Sequence, residues 1–122
     1  MALPNLTVFY VENPSQSAAL YQQILQTEPL EASSGFVLFV LDNGHKLGLW
    51  ARAAARPAAA GSGGSELGFT LAGRAQVDQA YAQWQGFGGG LVIAEPPHAV
   101  DFGYTFCALD ADGHCLRVYC AE

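Results

Sequence analysis

The chain has 122 residues, a length at which one hydrophobic core is the economical solution, so a single compact domain is expected. Hydrophobic residues make up 51% and charged residues 13%, which excludes whole-chain disorder. Five Lys and Arg against eleven Asp and Glu give a formal charge of −6, the wrong sign for a phosphate backbone, so nucleic acid is excluded as a partner.

The first alternating run, Leu6-Thr7-Val8-Phe9-Tyr10-Val11, is rich in β-branched and aromatic residues and reads as a strand. Asn13 and Pro14 then open a helix, with Asn13 as cap and Gln16 three residues on. Ala18, Leu20, Tyr21, Ile24 and Leu25 recur at helical spacing, and Pro29 stops the helix. A short strand around Leu30–Ser33 precedes Phe36–Leu41 and His45–Trp50, two strands joined by a turn at Asn43-Gly44, where both residues tolerate positive φ. From Ala51 to Gly64 the composition collapses to Ala, Arg, Pro, Gly and Ser, which reads as a flexible linker. The same order then returns. It comprises a strand Glu66–Leu71, a helix from Arg74 to Gln85 with Val77, Ala80, Tyr81 and Trp84 on one face, a strand Leu91–Ala94, and a hairpin of Phe102–Leu109 and His114–Cys120.

The halves are an internal repeat. Asn43-Gly44-His45-Lys46-Leu47-Gly48-Leu49-Trp50 echoes Asp112-Gly113-His114-Cys115-Leu116-Arg117-Val118-Tyr119 at a constant offset of 69 residues. Two copies of that length suit a paired-module fold better than a solenoid. The fold class is therefore α+β, with two βαβββ modules (module one 1–50, linker 51–64, module two 65–122) in one domain spanning 1–122.

Two such modules, each closing with an Asp/Asn-Gly turn and a final amphipathic strand, resemble the vicinal oxygen chelate superfamily. It includes glyoxalase I, extradiol dioxygenases, fosfomycin-resistance enzymes and bleomycin-resistance binding proteins. Lys46-Leu47-Gly48-Leu49-Trp50, Ser65-Glu66-Leu67-Gly68-Phe69, and Pro96-Pro97 leading to Asp101-Phe102-Gly103-Tyr104-Thr105-Phe106 look like its phenazine-resistance branch of antibiotic-binding proteins. The resemblance implies a homodimer in which modules of two chains complete each cavity.

Family enzymes place His/Gln and Glu metal ligands on the first and last strands of each module. Carried over by motif, those positions are Leu6, seven residues before Asn13; Gly48, four after Gly44; Glu66, three before Phe69; and Arg117, four after Gly113. Leucine and glycine have no side-chain donor, and a guanidinium repels a divalent cation. No metal and no cofactor are therefore expected. A Glu66–Arg117 ion pair is expected to stand where the family's metal would be, leaving guanidinium donors for a ligand carboxylate or carbonyl. The alternative is two exposed strand-end charges that never meet.

Strand alternation places further residues with these four. Arg117 shares a face with Cys115 and Tyr119, Gly48 with Lys46 and Trp50, and Glu66 with Gly68 and Thr70. If Leu109 pairs with His114 across a four-residue turn, Phe106 lies opposite Arg117, Tyr104 lies opposite Tyr119, and Phe102 follows. The expected ligand-binding set is Trp50, Phe39, Gly48, Glu66, Gly68, Phe102, Tyr104, Phe106, Arg117 and Tyr119: aromatic walls around glycine floors, suited to a planar molecule. The competing reading is that these aromatics fill a sheet interior or a dimer interface.

Other candidates are weaker. His45 and His114 follow turn glycines at equivalent repeat positions, and His98 sits in a Pro-Pro-His-Ala loop. Cys115 and Cys120 point to opposite faces of one strand, which excludes a shared zinc site there. Asp110-Ala111-Asp112-Gly113 lacks the remaining ligands of a calcium loop, and no Gly-x-Ser-x-Gly elbow is present. The odd number of cysteines and the absence of a secretory signal point to the cytoplasm, and no apolar run is long enough to cross a membrane. The expected function is non-enzymatic binding and sequestration of a planar aromatic antibiotic or metabolite, phenazine- or quinoxaline-like, conferring resistance. The alternative is a divergent metal-dependent lyase, isomerase or dioxygenase.

Overall fold

The computed structural model describes residues 2–122, which fall into two compact units, one up to Gly63 and one from Gly64 onward. In the first, the order is β1 (Leu6–Val11), α1 (Pro14–Leu25), β2 (Glu31–Ala32), β3 (Phe36–Val40) and β4 (Lys46–Ala51). In the second it is β5 (Glu66–Thr70), α2 (Arg74–Trp84), β6 (Val92–Val100), β7 (Gly103–Leu109) and β8 (Cys115–Ala121). Each unit is a four-stranded mixed sheet with one helix, ordered β1-β4-β3-β2 and β5-β8-β7-β6. The first and last strands of each module lie side by side in parallel, as a βαβββ repeat requires.

Asn13 caps α1 through its side chain, which accepts the Gln16 N–H at 3.1 Å, and Pro14 occupies the first turn. The helix ends at Leu25 because Gln26 takes a left-handed conformation (φ 54°), four residues after Gln22 and three before Pro29. Its buried stripe of Ala18, Leu20, Tyr21 and Ile24 covers the alternate residues Phe9, Val11, Val37, Phe39, Leu47 and Leu49 of the sheet. Each large side chain so buried contributes roughly 1.5–3 kcal/mol of transfer free energy. In the second unit Val77 and Trp84 of α2 cover Phe106, Leu116, Val118 and Cys120 in the same way.

The two β-turns that close the modules have one geometry. Gly44 N–H donates to Leu41 O and Leu41 N–H to His45 O; Gly113 N–H donates to Asp110 O and Asp110 N–H to His114 O. Both glycines have φ +87°. Each loop therefore has three residues with a left-handed glycine at the end, and Asn43 does not use positive φ as expected from the sequence. Asn43 instead accepts the His45 N–H through Oδ1 at 2.9 Å. Asp110 does more: its buried carboxylate accepts from the N–H of Asp112 and of His114, and from His114 Nδ1 at 2.8 Å.

Two further expectations are corrected. The segment 51–64 is not a structureless linker: Arg52–Ala54 form a 3-10 turn, Ala55 is buried, Arg52 pairs with Glu12, and Ser62 Oγ donates to Tyr10 O at 2.8 Å. The strand expected at Leu91–Ala94 runs on through Pro96, Pro97 and His98 to Val100. Proline is tolerated there because β6 is an edge strand whose register shifts between Ile93 and Glu95 and again before His98. Among the described residues no helix is long and apolar enough to cross a membrane.

Candidate functional site

The candidate site lies on the face of the second sheet turned away from α2. On β8 the buried residues Leu116, Val118 and Cys120 alternate with half-buried Cys115, Arg117 and Tyr119. Parallel pairing sets Glu66 beside Cys115, Gly68 beside Arg117 and Thr70 beside Tyr119. Glu66, Gly68, Phe102, Arg117 and Tyr119 line an open concavity of about 550 Å³.

The Glu66–Arg117 pair is formed. Arg117 Nε donates to Glu66 Oε2 at 3.0 Å, and Cys115 Sγ lies 3.4 Å from Glu66 Oε1. Arg117 is also held from the other side, where Nη1 donates to Thr105 Oγ1 at 3.3 Å while that hydroxyl donates to Val118 O at 2.8 Å. Phe102 stands edge-on to Tyr119, with ring centroids 5.7 Å apart, and 5.9 Å from the guanidinium carbon. Phe102 is 47% exposed and leaves part of its ring open to the concavity.

The hydrogen bond from Arg117 holds the Glu66 carboxyl below the usual carboxylate range, and Glu66 in turn raises Arg117. Both are ionised at neutral pH. Burial, reinforced by Cys107 and Glu66, pushes the Cys115 thiol up to about 12, and burial also raises Cys107. Both shifts favour the protonated thiol over the thiolate. The arrangement sets a hydrogen-bonding ion pair beside the exposed ring of Phe102.

Five of the ten expected residues, Glu66, Gly68, Phe102, Arg117 and Tyr119, thus come together. Tyr104 and Phe106 do not, because the register differs by one residue from the expected one. Leu109 pairs with Cys115, so Thr105 lies opposite Tyr119, Cys107 opposite Arg117, and Phe106 opposite Val118. A one-residue slip moves every side chain to the other face. Phe106 is fully buried against Tyr81 and Trp84, with ring centroids 5.4 Å away in both cases. Tyr104 donates its hydroxyl to Asp78 on α2 at 2.8 Å and carries the Arg74 guanidinium over its ring.

The first unit holds the other three. Phe39 is fully buried on the helix side and is a core residue, contrary to expectation. Trp50 is half-buried on the opposite face, next to Tyr10 and Phe36 with ring centroids 6.2 Å away in each case. Gly48 lies under Phe36, whose Cζ is 2.8 Å from where a Cβ at position 48 would stand. The sequence reading missed Thr105, Phe36 and Tyr10. Thr105 was accessible through the 69-residue repeat, which carries the three-residue loop of the first module onto the second.

The metal-ligand positions carried over from the resemblance do not fit a divalent cation. Leu6 and Gly48 supply no donor, Phe36 fills the space of a side chain at 48, and Glu66 is engaged by a guanidinium. Among the described residues no group of three or more His, Cys, Asp or Glu is placed to hold a metal.

A family model described as the Glyoxalase/Bleomycin resistance protein/Dioxygenase superfamily matches residues 4–118. The chain is 29% identical over 116 residues to the phenazine antibiotic resistance protein EhpR of Enterobacter agglomerans, covering 94% of this chain and 89% of that protein. Among solved structures it is similar to protein ATC0852 from Agrobacterium tumefaciens, solved by solution NMR, with TM-score 0.90 and 44% identity over 100% of this chain and 99% of that one. A glyoxalase-related enzyme from Fulvimarina pelagi shares the fold, with TM-score 0.84 at 17% identity, over 98% of this chain and 88% of that one.

Proposed function

The chain belongs to the glyoxalase/bleomycin resistance protein/dioxygenase superfamily, and from that premise we propose that it binds and sequesters a planar aromatic antibiotic or metabolite, phenazine- or quinoxaline-like, without transforming it. Resistance by sequestration is the biological consequence. The observation that carries this reading is the Glu66–Arg117 ion pair at an aromatic-rimmed concavity, occupying two positions where family enzymes carry metal ligands. The kinship with a phenazine resistance protein supports the ligand class.

The energetics are sufficient. A three-ring ligand against Phe102 and Tyr119 buries roughly 200–300 Å² of apolar surface, or about 5–8 kcal/mol before association costs. Micromolar binding then needs no catalysis, and an abundant protein at that affinity lowers the free ligand concentration. We further propose that two copies associate, which sedimentation velocity reads directly.

Titration calorimetry of the protein with phenazine and quinoxaline tests the reading, with Arg117→Ala and Phe102→Ala as variants. Micromolar binding weakened at least fivefold by each substitution is expected. No heat with any planar heteroaromatic overturns the proposal, as does a stoichiometric metal ion retained through purification on the Glu66 strand, which would favour the metal-dependent enzyme.

A further inference from the structure

Resting on the ligand-binding reading, we infer that Glu66 is a specificity-determining residue that screens out anions, so that the site prefers a ring bearing a neutral carboxamide or lactam edge over the same ring bearing a carboxylate.

The inference follows from how the guanidinium is used. Of its five N–H groups, Nε is taken by Glu66 and one on Nη1 by Thr105. The remaining N–H groups, one on Nη1 and both on Nη2, have no protein partner among the described residues, and Arg117 lines the concavity. They are donors in search of an acceptor. Next to them is an acceptor in search of a donor: Glu66 Oε1 receives only the weak S–H of Cys115 at 3.4 Å, and the Glu66 side chain is 50% exposed. Glu66 and Arg117 together therefore present a donor edge beside an acceptor edge.

A carboxamide matches both edges, with its carbonyl oxygen on the guanidinium and its N–H on Glu66. A carboxylate matches one. The single positive charge is already neutralised by Glu66, so a second carboxylate brings an uncompensated negative charge within a few ångströms of the first. Thr105 on β7 gives Arg117 a second anchor on the side away from Glu66, which favours keeping the guanidinium at Glu66. The chain as a whole carries a formal charge of −6, which adds to the repulsion.

The test is calorimetry at pH 7.5 with phenazine, phenazine-2-carboxamide and phenazine-2-carboxylate, whose substituents lie clear of the ring nitrogens. The wild-type protein is expected to bind the carboxamide at least tenfold more tightly than the carboxylate. Glu66→Gln, which keeps the shape and removes the charge, is expected to invert the order. Glu66→Asp, which keeps the charge, is expected to preserve it and guards against a folding defect in the first variant. Equal affinities for the two derivatives in the wild type, a carboxylate preference, or an order that Glu66→Gln leaves unchanged overturn the inference alone. Binding of phenazine with neither derivative bound does the same, whereas failure of all three and of quinoxaline to bind overturns the sequestration reading and this inference with it.

Discussion

Replacing Phe106 by alanine separates the observed strand register from the one that alternation and a four-residue turn suggest. Phe106 has no exposed surface and meets Tyr81 and Trp84 edge-on at 5.4 Å, with interplanar angles of 65° and 87°. Removing a fully buried phenylalanine ring costs about 3–5 kcal/mol in lost transfer free energy and residual cavity. Two aromatic contacts disappear with it, so the upper half of that range is expected. Against a domain stability of roughly 5–15 kcal/mol this is a large fraction. With a urea m-value of about 2 kcal/mol/M, the unfolding midpoint falls by about 2 M. Trp84 packs on the lost ring, so its fluorescence reports the transition directly. Phe102→Ala is the control: a 47% exposed ring at the concavity, expected to cost under about 1 kcal/mol of stability while weakening ligand binding. A Phe106→Ala protein as stable as the wild type, with impaired binding instead, would refute the register and the face assignment together.

Three further outcomes are expected. Asp110→Ala removes the acceptor for two backbone N–H groups and the His114 ring inside a buried turn, and should cost about 2–3 kcal/mol in a chemical melt, with Asp110→Asn recovering part. Arg117 lowers the folded-state value of Glu66 beneath the ordinary 4.5, so the stabilisation it brings is complete above 4.5 and is lost as pH falls through the lower folded value. A carboxyl-carbon NMR titration should give a Glu66 midpoint below 4.5 that returns toward it in Arg117→Ala; a wild-type midpoint at or above 4.5 contradicts the ion pair. All three cysteines are free, two are buried, and the Cys115 thiol is pushed up to about 12, so native protein at pH 8 should alkylate with iodoacetamide far more slowly than after unfolding in urea. Fast labelling of Cys115 would show a thiolate that this environment does not favour.

Much of the fold was legible because each module repeats the same local signals. The Asn13-Pro14 cap, the positive φ of Gly44 and Gly113 and the alternation of β4, β5 and β8 are properties of a few adjacent residues, and all are found where the pattern puts them. The Glu66–Arg117 pair was expected because the resemblance puts both residues at converging ligand positions, and the parallel pairing of β5 with β8 brings them together. What escaped was set by pairing across a turn. The alternation within β7 says which residues share a face but not which face is which; that is decided at Asp110, which pairs with His114 and closes the loop with three residues instead of four. The extent of β6 escaped for a related reason, because Pro96 and Pro97 argue against a strand until the sheet order makes it an edge.

The contact between Phe36 and Gly48 carries a steric implication. With the Phe36 ring lying where a Cβ at 48 would be, a single substitution that places a carboxylate at that position meets an occupied space. The ring must first be reduced or displaced, and reducing it alone strips an aromatic neighbour from Trp50 without restoring any ligand. Placing a side chain at 48 therefore disturbs the packing around Trp50 as well. The aromatic side chain thus couples the two positions: glycine at 48 and phenylalanine at 36 fit together as a pair, and a larger residue at 48 is accommodated only if the Phe36 ring turns away from Gly48.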